Sequence, residues 1–481
     1  MNQRRRRFLW ERASARDSAG PVAARRPLPH RIFVISLLVF CAADWPQYRG
    51  PGGLGASAEK DWRTVEPKRL WDAQIGAGFG AVSVVGDRAY IVGASALSNN
   101  AETVFCFDAA TGKEVWRHSY GQTLGRSRSP ACCTPTIVEG RVFVFGSGAM
   151  LSCLDALTGK VIWSEHLQVS PTPYGYCASP LVVSGVLVVP VLTGPGRPPA
   201  AGGAYPYTGG VLIGFDAKTG QELWRATDGC SPWSTPVAGM LAGKLTLVHL
   251  TGSAVIGVDP QTGKRLWLYD HKVPVRDERC YSIAASPLIA GDIVVAPSHI
   301  AEQGVIGLRI RGEKAEVVWN APEQTWYQTG VVWSDLLFLP QGGSSLVCCD
   351  VKTGAQLWTT GDLSRASGTT TPGEIVETEG MGAVRRPLRQ LRPGEARHHG
   401  PGGMSGGAFI VADGRVLLVN ARGELLVAQV TGKGYATLSR TRVSEAAAPG
   451  HWGYQTYPVL SGGRLYCRNG SELVCFDLRG R

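Results

Sequence analysis

Five copies of Asp-x-x-Thr-Gly-x-x-x-Trp stand in this chain with unchanged internal spacing: Asp108/Thr111/Gly112/Trp116, Asp155/Thr158/Gly159/Trp163, Asp216/Thr219/Gly220/Trp224, Asp259/Thr262/Gly263/Trp267 and Asp350/Thr353/Gly354/Trp358. A repeat of this kind constrains the fold strongly, because one short unit cannot bury its apolar face alone and must stack on its neighbours. Each copy follows an apolar run such as Val104-Phe105-Cys106-Phe107, and each leads into a second run ending in Trp. That pattern reads as strand, tight turn, strand. The Asp carboxylate suits backbone N–H groups inside the turn, Gly supplies the positive φ that closes it, and Trp offers a flat surface to the next unit.

The copies are spaced by 47, 61, 43 and 91 residues. The last interval holds a worn copy, Val305-Ile306-Gly307-Leu308-Arg309 leading to Val317-Val318-Trp319. A sixth Asp, Asp477, ends Leu473-Val474-Cys475-Phe476, and another worn copy, Leu425 to Gln429, divides the gap before it. This makes eight units, the last without its Trp. The missing outer strand is present near the other end as Lys68-Arg69-Leu70-Trp71. Pairing it with the last unit closes a ring and removes the exposed sheet edges of an open array. The expected fold is all-β, an eight-bladed β-propeller of four-stranded blades closed by the N- and C-terminal strands. The 62 glycines and 14 tryptophans suit many short strands and turns.

Residues 1–43 are expected to be a targeting segment, in part an over-extended N-terminus, and 44–481 the propeller. The segment is Arg-rich, and the apolar run Ile32 to Phe40 before Cys41-Ala42-Ala43 is about half the ~18 residues a spanning helix needs, so a secretory signal cleaved near Ala43 is the reading. Leu38-Val39-Phe40-Cys41 is an alternative lipoprotein box, weakened by its bulky Phe; membrane association is expected only if Cys41 is lipidated. The formal net charge of +11 shrinks in consequence, since nine arginines against Glu11 and Asp17 put about +7 of it in this segment. Nucleic-acid binding is not expected. Between 361 and 402 the period breaks into a polar, Pro/Gly-rich stretch that reads as a mobile insertion between blades six and seven. His398-His399 within it lack the partners that a tetrahedral metal site needs.

The repeat, with the opening Asp44-Trp45-Pro46-Gln47-Tyr48-Arg49-Gly50-Pro51, resembles the PQQ-like repeat propellers, which include the BamB-like outer-membrane assembly proteins and the quinoprotein alcohol dehydrogenases. The resemblance implies the fold from about 44 to 481 and leaves function open, because the repeat residues build blades in catalytic and non-catalytic members alike. Dehydrogenases of this group carry a vicinal Cys pair beside the quinone, a calcium ion and an Asp base. Cys132-Cys133 stands in a similar register, but Thr134-Pro135 follow where those enzymes have Arg, and the chain is shorter than they are. Six Asp are used in turns, and only Asp277-Glu278 remain as a carboxylate pair, far from the six to eight oxygens of a calcium site.

Cys106, Cys153, Cys348 and Cys475 lie two residues before the repeat Asp, where other units have Gly214, Gly257 and Gly307, so they read as small residues in a crowded interior position. Cys132, Cys133, Cys177, Cys230, Cys280 and Cys467 remain, and some of them can pair in an oxidising compartment. Inner strands begin with a recurring [Ser/Thr]-Pro, at Thr134, Ser179, Thr235 and Ser286, with Tyr457-Pro458 as a variant. Aromatics gather just ahead of these: Tyr174, Tyr176, Trp233, Tyr281, Trp326, Tyr327, Trp452 and Tyr454. One reading packs them between blades; the other makes Cys132, Cys133, Tyr176, Trp233, Tyr281, Tyr327, Trp452 and Tyr454 a ligand-binding rim at the channel mouth. The expectation is an exported, non-catalytic scaffold of the periplasm or cell envelope, monomeric, binding a protein or small ligand and needing no metal or cofactor. The alternative is a PQQ-dependent alcohol or sugar dehydrogenase, with PQQ and Ca²⁺.

Overall fold

The computed structural model describes residues 44–480 apart from 61, 64, 95–100, 122–130, 171, 173–174, 194–209, 230, 252–253, 272–283, 298–303, 322–327, 342–344, 361–375, 378–407, 421–422 and 444–455. The eight-bladed propeller is present. Blades one to six span 83–121, 136–166, 181–226, 237–270, 288–321 and 331–359, each a four-stranded antiparallel sheet. Blade seven is built on 408–442. Blade eight takes three strands from 459–477 and its outermost strand, Lys68–Gln74, from the N-terminal side. Trp71 lies opposite Cys475 in that pairing, so the orphan strand closes the ring as its sequence predicts.

The repeat residues form an interlocking latch. In the turn of blade one, Thr111 donates its N–H and its hydroxyl to Asp108 Oδ1 at 2.9 and 2.8 Å, and Gly112 has φ 71°. Asp155, Asp216 and Asp350 accept the same pair of bonds from Thr158, Thr219 and Thr353, and Asp259 accepts the Thr262 N–H. Trp116 leaves blade one and donates from Nε1 to the Ala156 carbonyl of blade two at 3.0 Å. The same bond runs from Trp71 to Ala109, Trp163 to Ala217, Trp224 to Pro260 and Trp319 to Val351, always to the residue after the next blade's Asp.

The motif glycines need one correction. Sequence assigns them turn closure alone, and all five do have positive φ: Gly112 71°, Gly159 70°, Gly220 77°, Gly263 70° and Gly354 68°. Each also lies under the indole of the preceding blade. Trp71 covers Gly112, Trp116 covers Gly159, Trp163 covers Gly220, Trp224 covers Gly263 and Trp319 covers Gly354, and a Cβ at any of them would meet the ring at 2.5–2.8 Å. Thus Gly has two duties, a left-handed backbone and a bare surface for its neighbour's ring. Gly354 shows that the second duty survives wear, because Trp319 comes from the worn copy and still lands on it.

The position two before Asp faces the Trp of its own blade. Cys106 pairs with Trp116, Cys153 with Trp163, Cys348 with Trp358 and Gly214 with Trp224, each beside a register shift. A Cβ on Gly214, Gly257 or Gly307 would come within 2.2 Å of the facing indole. The glycines at these three positions therefore have a steric cause, and where Cys stands the facing indole leaves room for a small side chain. Between blades, apolar clusters such as Val188, Leu212, Leu247 and Ile256 supply the core.

Val376–Glu377 is the described part of the insertion. It pairs antiparallel with the outermost strand of blade seven, opposite Tyr435 and Gly434.

Candidate functional site

The inner strands line a central channel, and the [Ser/Thr]-Pro motif organises one mouth of it. The residue two before each inner strand donates its backbone N–H to the hydroxyl of its counterpart in the next blade: Ala81 to Thr134, Thr134 to Ser179, Ser179 to Thr235, Thr235 to Ser286 and Ser286 to Thr329, at 2.8–3.0 Å. Pro following the hydroxyl residue holds it extended, so that N–H and hydroxyl face opposite neighbours. Two residues before Ala408 of blade seven the sequence has Gly, which offers no hydroxyl. Tyr457 of blade eight reaches across, and its phenol oxygen accepts the Thr329 N–H at 2.6 Å. Thr456 then donates to Phe79 O at 3.1 Å, which brings this belt back to blade one.

The segment Asp44 to Glu59 enters the channel from the opposite mouth and folds back to it. Asp44 accepts the Gly86 N–H in the first hairpin of blade one, and Trp45 bridges to Val84. Pro46 O accepts from Ile137 of blade two at 2.8 Å, and Gly53 packs beside Val237 of blade four. Arg49, 1% exposed, donates to the carbonyls of Gly53, Leu54, Thr329 and Gly330 and lies 4.6 Å over the Tyr457 ring. Ala56–Ser57 then pairs in parallel with the inner strand of blade seven, and Glu59 receives the Gly462 and Gly463 N–H groups of blade eight. A Cβ on Gly55 would lie 2.3 Å from Arg49 Nη2, which explains the glycine there. Beside the plug remains a cavity of about 30 Å³ lined by Gln47, Tyr48, Gly53, Pro180, Thr235 and Pro236, room for roughly two waters.

Above the belt, charged and thiol side chains converge where blades eight, one, two and three meet. Glu102 is fully buried; its carboxylate accepts from Tyr120 Oη at 2.9 Å and from Ser147 N at 3.2 Å. Arg468, 3% exposed, donates to the carbonyls of Gly76, Gly80, Val92 and Gly470. Burial pulls its guanidinium below the usual range, and the neighbouring Cys132, Cys133 and Glu102 oppose that. Four carbonyls satisfy the cation across the blade eight–blade one seam. Cys133 is buried among Ala131, Val144 and Leu154, and burial pushes its thiol up. Cys132, half-buried, is hydrogen-bonded with Cys177, which raises its thiol well above the usual range.

Of the rim residues expected from sequence, Cys132, Cys133, Tyr176 and Trp233 are described; Tyr281, Tyr327, Trp452 and Tyr454 lie outside the described residues. So do Cys41, Asp277-Glu278 and His398-His399. Tyr176 is fully buried, 5.1 Å from the Phe145 ring, donating to Ser170 O and accepting from Leu192 N. Trp233 donates to Gly175 O at 3.0 Å across the seam between blades three and four. Both are buried among residues of neighbouring blades. Sequence reasoning gives no role to Glu102 and Arg468; the available signal is a charged residue flanked by buried positions, Thr103 and Val104 after Glu102 and Tyr466 and Cys467 before Arg468.

The described residues beside the Cys pair bring few oxygens together for a calcium ion. Among the described residues Glu102 is the carboxylate that neighbours the Cys pair, and both its oxygens already accept hydrogen bonds. No group of three or more His, Cys, Asp or Glu suited to a metal occurs among the described residues.

A quinohemoprotein alcohol dehydrogenase, ADH IIB of Pseudomonas putida, is 31% identical to this chain over 128 residues, which are 25% of this chain and 17% of that protein, so the likeness touches a small part of the enzyme. The outer membrane protein assembly factor BamB of Burkholderia pseudomallei is 26% identical over 314 residues, covering 61% of this chain and 69% of its own. The crystal structure of BamB from Moraxella catarrhalis superposes with a TM-score of 0.55 at 13% identity, over 87% of this chain and 99% of that one, and shares the fold. The family model described as "Outer membrane protein assembly factor BamB" matches residues 57–194 and 100–360. With its repeat latches, its closed ring and that match, the chain belongs to this family of PQQ-like repeat propellers.

Proposed function

We propose that this chain is a non-catalytic binding propeller, exported to the periplasm or cell envelope, whose belt-side loops take a protein partner or a small ligand. The observation that carries this reading is the state of the channel. Asp44 to Glu59 fills it, and Glu102, Arg468 and Arg49 at its mouth and centre are satisfied by groups of the chain itself. A catalytic centre keeps polar groups poised for substrate, whereas these are committed to holding blades together. The assembly-factor relatives support a scaffold, and among the described residues no helix is long and apolar enough to cross a membrane. The aromatics Tyr281, Tyr327, Trp452 and Tyr454 remain the proposed contact groups.

The competing reading, a PQQ-dependent dehydrogenase, is favoured by the Cys132-Cys133 pair and by the dehydrogenase relatives. Mixing the purified chain with PQQ and Ca²⁺ separates the two. A ligand at a hundred times its Kd stabilises by about 2.7 kcal/mol, an easily read melting shift. We expect no shift and no dye reduction with alcohols or sugars. A shift with dye reduction, both abolished in Cys132→Ser/Cys133→Ser, would replace the binding reading with the enzyme.

A further inference from the structure

We infer that Cys132 and Cys177 form a disulfide site that staples blade two to blade three at the belt-side mouth. The two cysteines occupy the same register position in adjacent blades, two residues before the belt residues Thr134 and Ser179. The belt bond from Thr134 N to Ser179 Oγ, 2.9 Å, fixes the separation of the loops that carry them. Cys177 is held from its other side as well, since its N–H and that of Ala178 approach Pro232 O of blade four at 3.4 Å. The two side chains are hydrogen-bonded to one another, and Cys177 Sγ also lies 3.8 Å from Gly175 O. Both are half-buried, so a small oxidant can reach them.

Cys133 is the obvious rival for Cys132, and the structure separates them. Consecutive residues of an extended segment point to opposite sides. Cys133 is turned into the apolar cluster with Ala131, Val142 and Leu154, while Cys132 meets the neighbouring blade. A bond between vicinal residues would have to pull Cys133 out of that core. The pairing across the blades leaves Cys133 in place.

The chemistry is thiol–disulfide exchange with a small-molecule or protein disulfide as oxidant. One thiolate, Cys132 or Cys177, attacks the external disulfide and releases one thiolate from it. The other then attacks the resulting mixed disulfide and releases the second. One S–S bond forms within the chain and one breaks in the oxidant; two electrons pass to the oxidant, and the two thiol protons end on its released thiolates or in solvent. Because the contact with Cys177, and after it burial, holds Cys132 well above the usual thiol range, the exchange should quicken as pH rises.

The test is oxidation of the full native chain with glutathione disulfide at pH 8, followed by thiol counting and non-reducing peptide mapping by mass spectrometry. The expected result is loss of two thiols, a cross-link between the peptides carrying Cys132 and Cys177, and a rise in melting temperature on the order of a few degrees that dithiothreitol reverses. Cys177→Ser should abolish the cross-link and the rise together. Retention of all thiols, or a Cys132–Cys133 bond within one peptide, overturns the inference. The mapping is done on the wild-type chain, so neither outcome depends on how a variant folds, and neither bears on PQQ binding.

Discussion

The seam between blades three and four and the seam between blades four and five start from the same buried tryptophan and end differently. Trp224 donates to Pro260 O at 3.0 Å and its ring covers Gly263. Trp267, 3% exposed, faces the worn copy, and its Nε1 has no partner among the described residues. The cause lies in the turn it meets. Blade five lacks Asp-x-x-Thr-Gly; its strands run on to a two-residue turn at Gly312-Glu313, and the counterpart of Pro260 is Ile310, held in the ladder opposite Ala315. The motif thus does more than close a hairpin. It presents one carbonyl and one bare glycine to the indole of the blade before.

The harshest way to break the ring is to remove its closing strand. A chain beginning at Ala81 lacks Lys68–Gln74 as well as the channel plug, and leaves the three remaining strands of blade eight with an open edge. Loss of a single cooperative melting transition is expected. A chain beginning at Lys60 removes the plug alone and should keep the transition at a lower temperature. If both truncations melt like the full chain, neither closure nor plug holds the ring.

Within a strict seam, Trp224→Ala should cost on the order of 3–5 kcal/mol, as large aromatic truncations do. Gly263→Ala should also cost heavily, since its Cβ would sit 2.6 Å from Trp224 at φ 70°. Gly220 and Gly354, under Trp163 and Trp319, should respond in the same way. Gly312→Ala, at φ 62° with nothing within 4 Å, bears the left-handed backbone penalty alone, roughly 1–2 kcal/mol. Equal melting curves for the Gly263 and Gly312 variants would show that the indole is free to move away.

The hydrogen bond itself is isolated by Phe substitutions. Trp224→Phe loses ring area and a bond, Trp267→Phe loses ring area alone, so urea denaturation should place the first about 1 kcal/mol below the second. The belt offers a parallel case. Tyr457→Phe strands the buried Thr329 N–H and should cost about 1–3 kcal/mol. No change in either comparison would mean that water replaces the lost partner.

Most of this architecture was legible because turn chemistry and Trp spacing are local. The period, the blade count and the orphan strand Lys68–Trp71 all follow from residues close in sequence, and the worn copies were visible by their missing Asp. The second duty of the motif glycines was not legible, because the ring over Gly220 or Gly354 arrives from another blade. The mouth was less legible still. The [Ser/Thr]-Pro recurrence was plain, but a bond from Thr134 N to Ser179 Oγ joins residues whose proximity exists only once the ring is closed. Asp44 to Glu59 reads as a family signature, yet its placement depends on partners as distant as Thr329 and Gly463. Arg468 and Glu102 stand in apolar strands, and only three-dimensional neighbours show what they hold.

The smallest expected effect concerns the turns themselves. The Thr111 hydroxyl and N–H hold the Asp108 carboxyl below its ordinary value, and Thr158 does the same for Asp155. A carboxylate whose folded pKa is depressed contributes stability that is present above its unfolded pKa, near 3.9, and is lost as pH falls through the lower folded value. Both carboxylates are partly exposed, with 32% of the Asp108 side chain accessible, so solvent screening holds the contribution to about a few tenths of a kcal/mol. Thr111→Val keeps the shape and removes the hydroxyl donor. Its melting temperature should fall slightly at pH 7 and converge with wild type at the acid end, once pH has fallen below the depressed folded value and Asp108 is protonated in both chains. The equivalent change in blade five has no Thr to remove, and Glu313→Gln there should leave that acid limb as it is. A Thr111→Val deficit that persists unchanged at pH 2 would assign the loss to packing and not to the carboxylate.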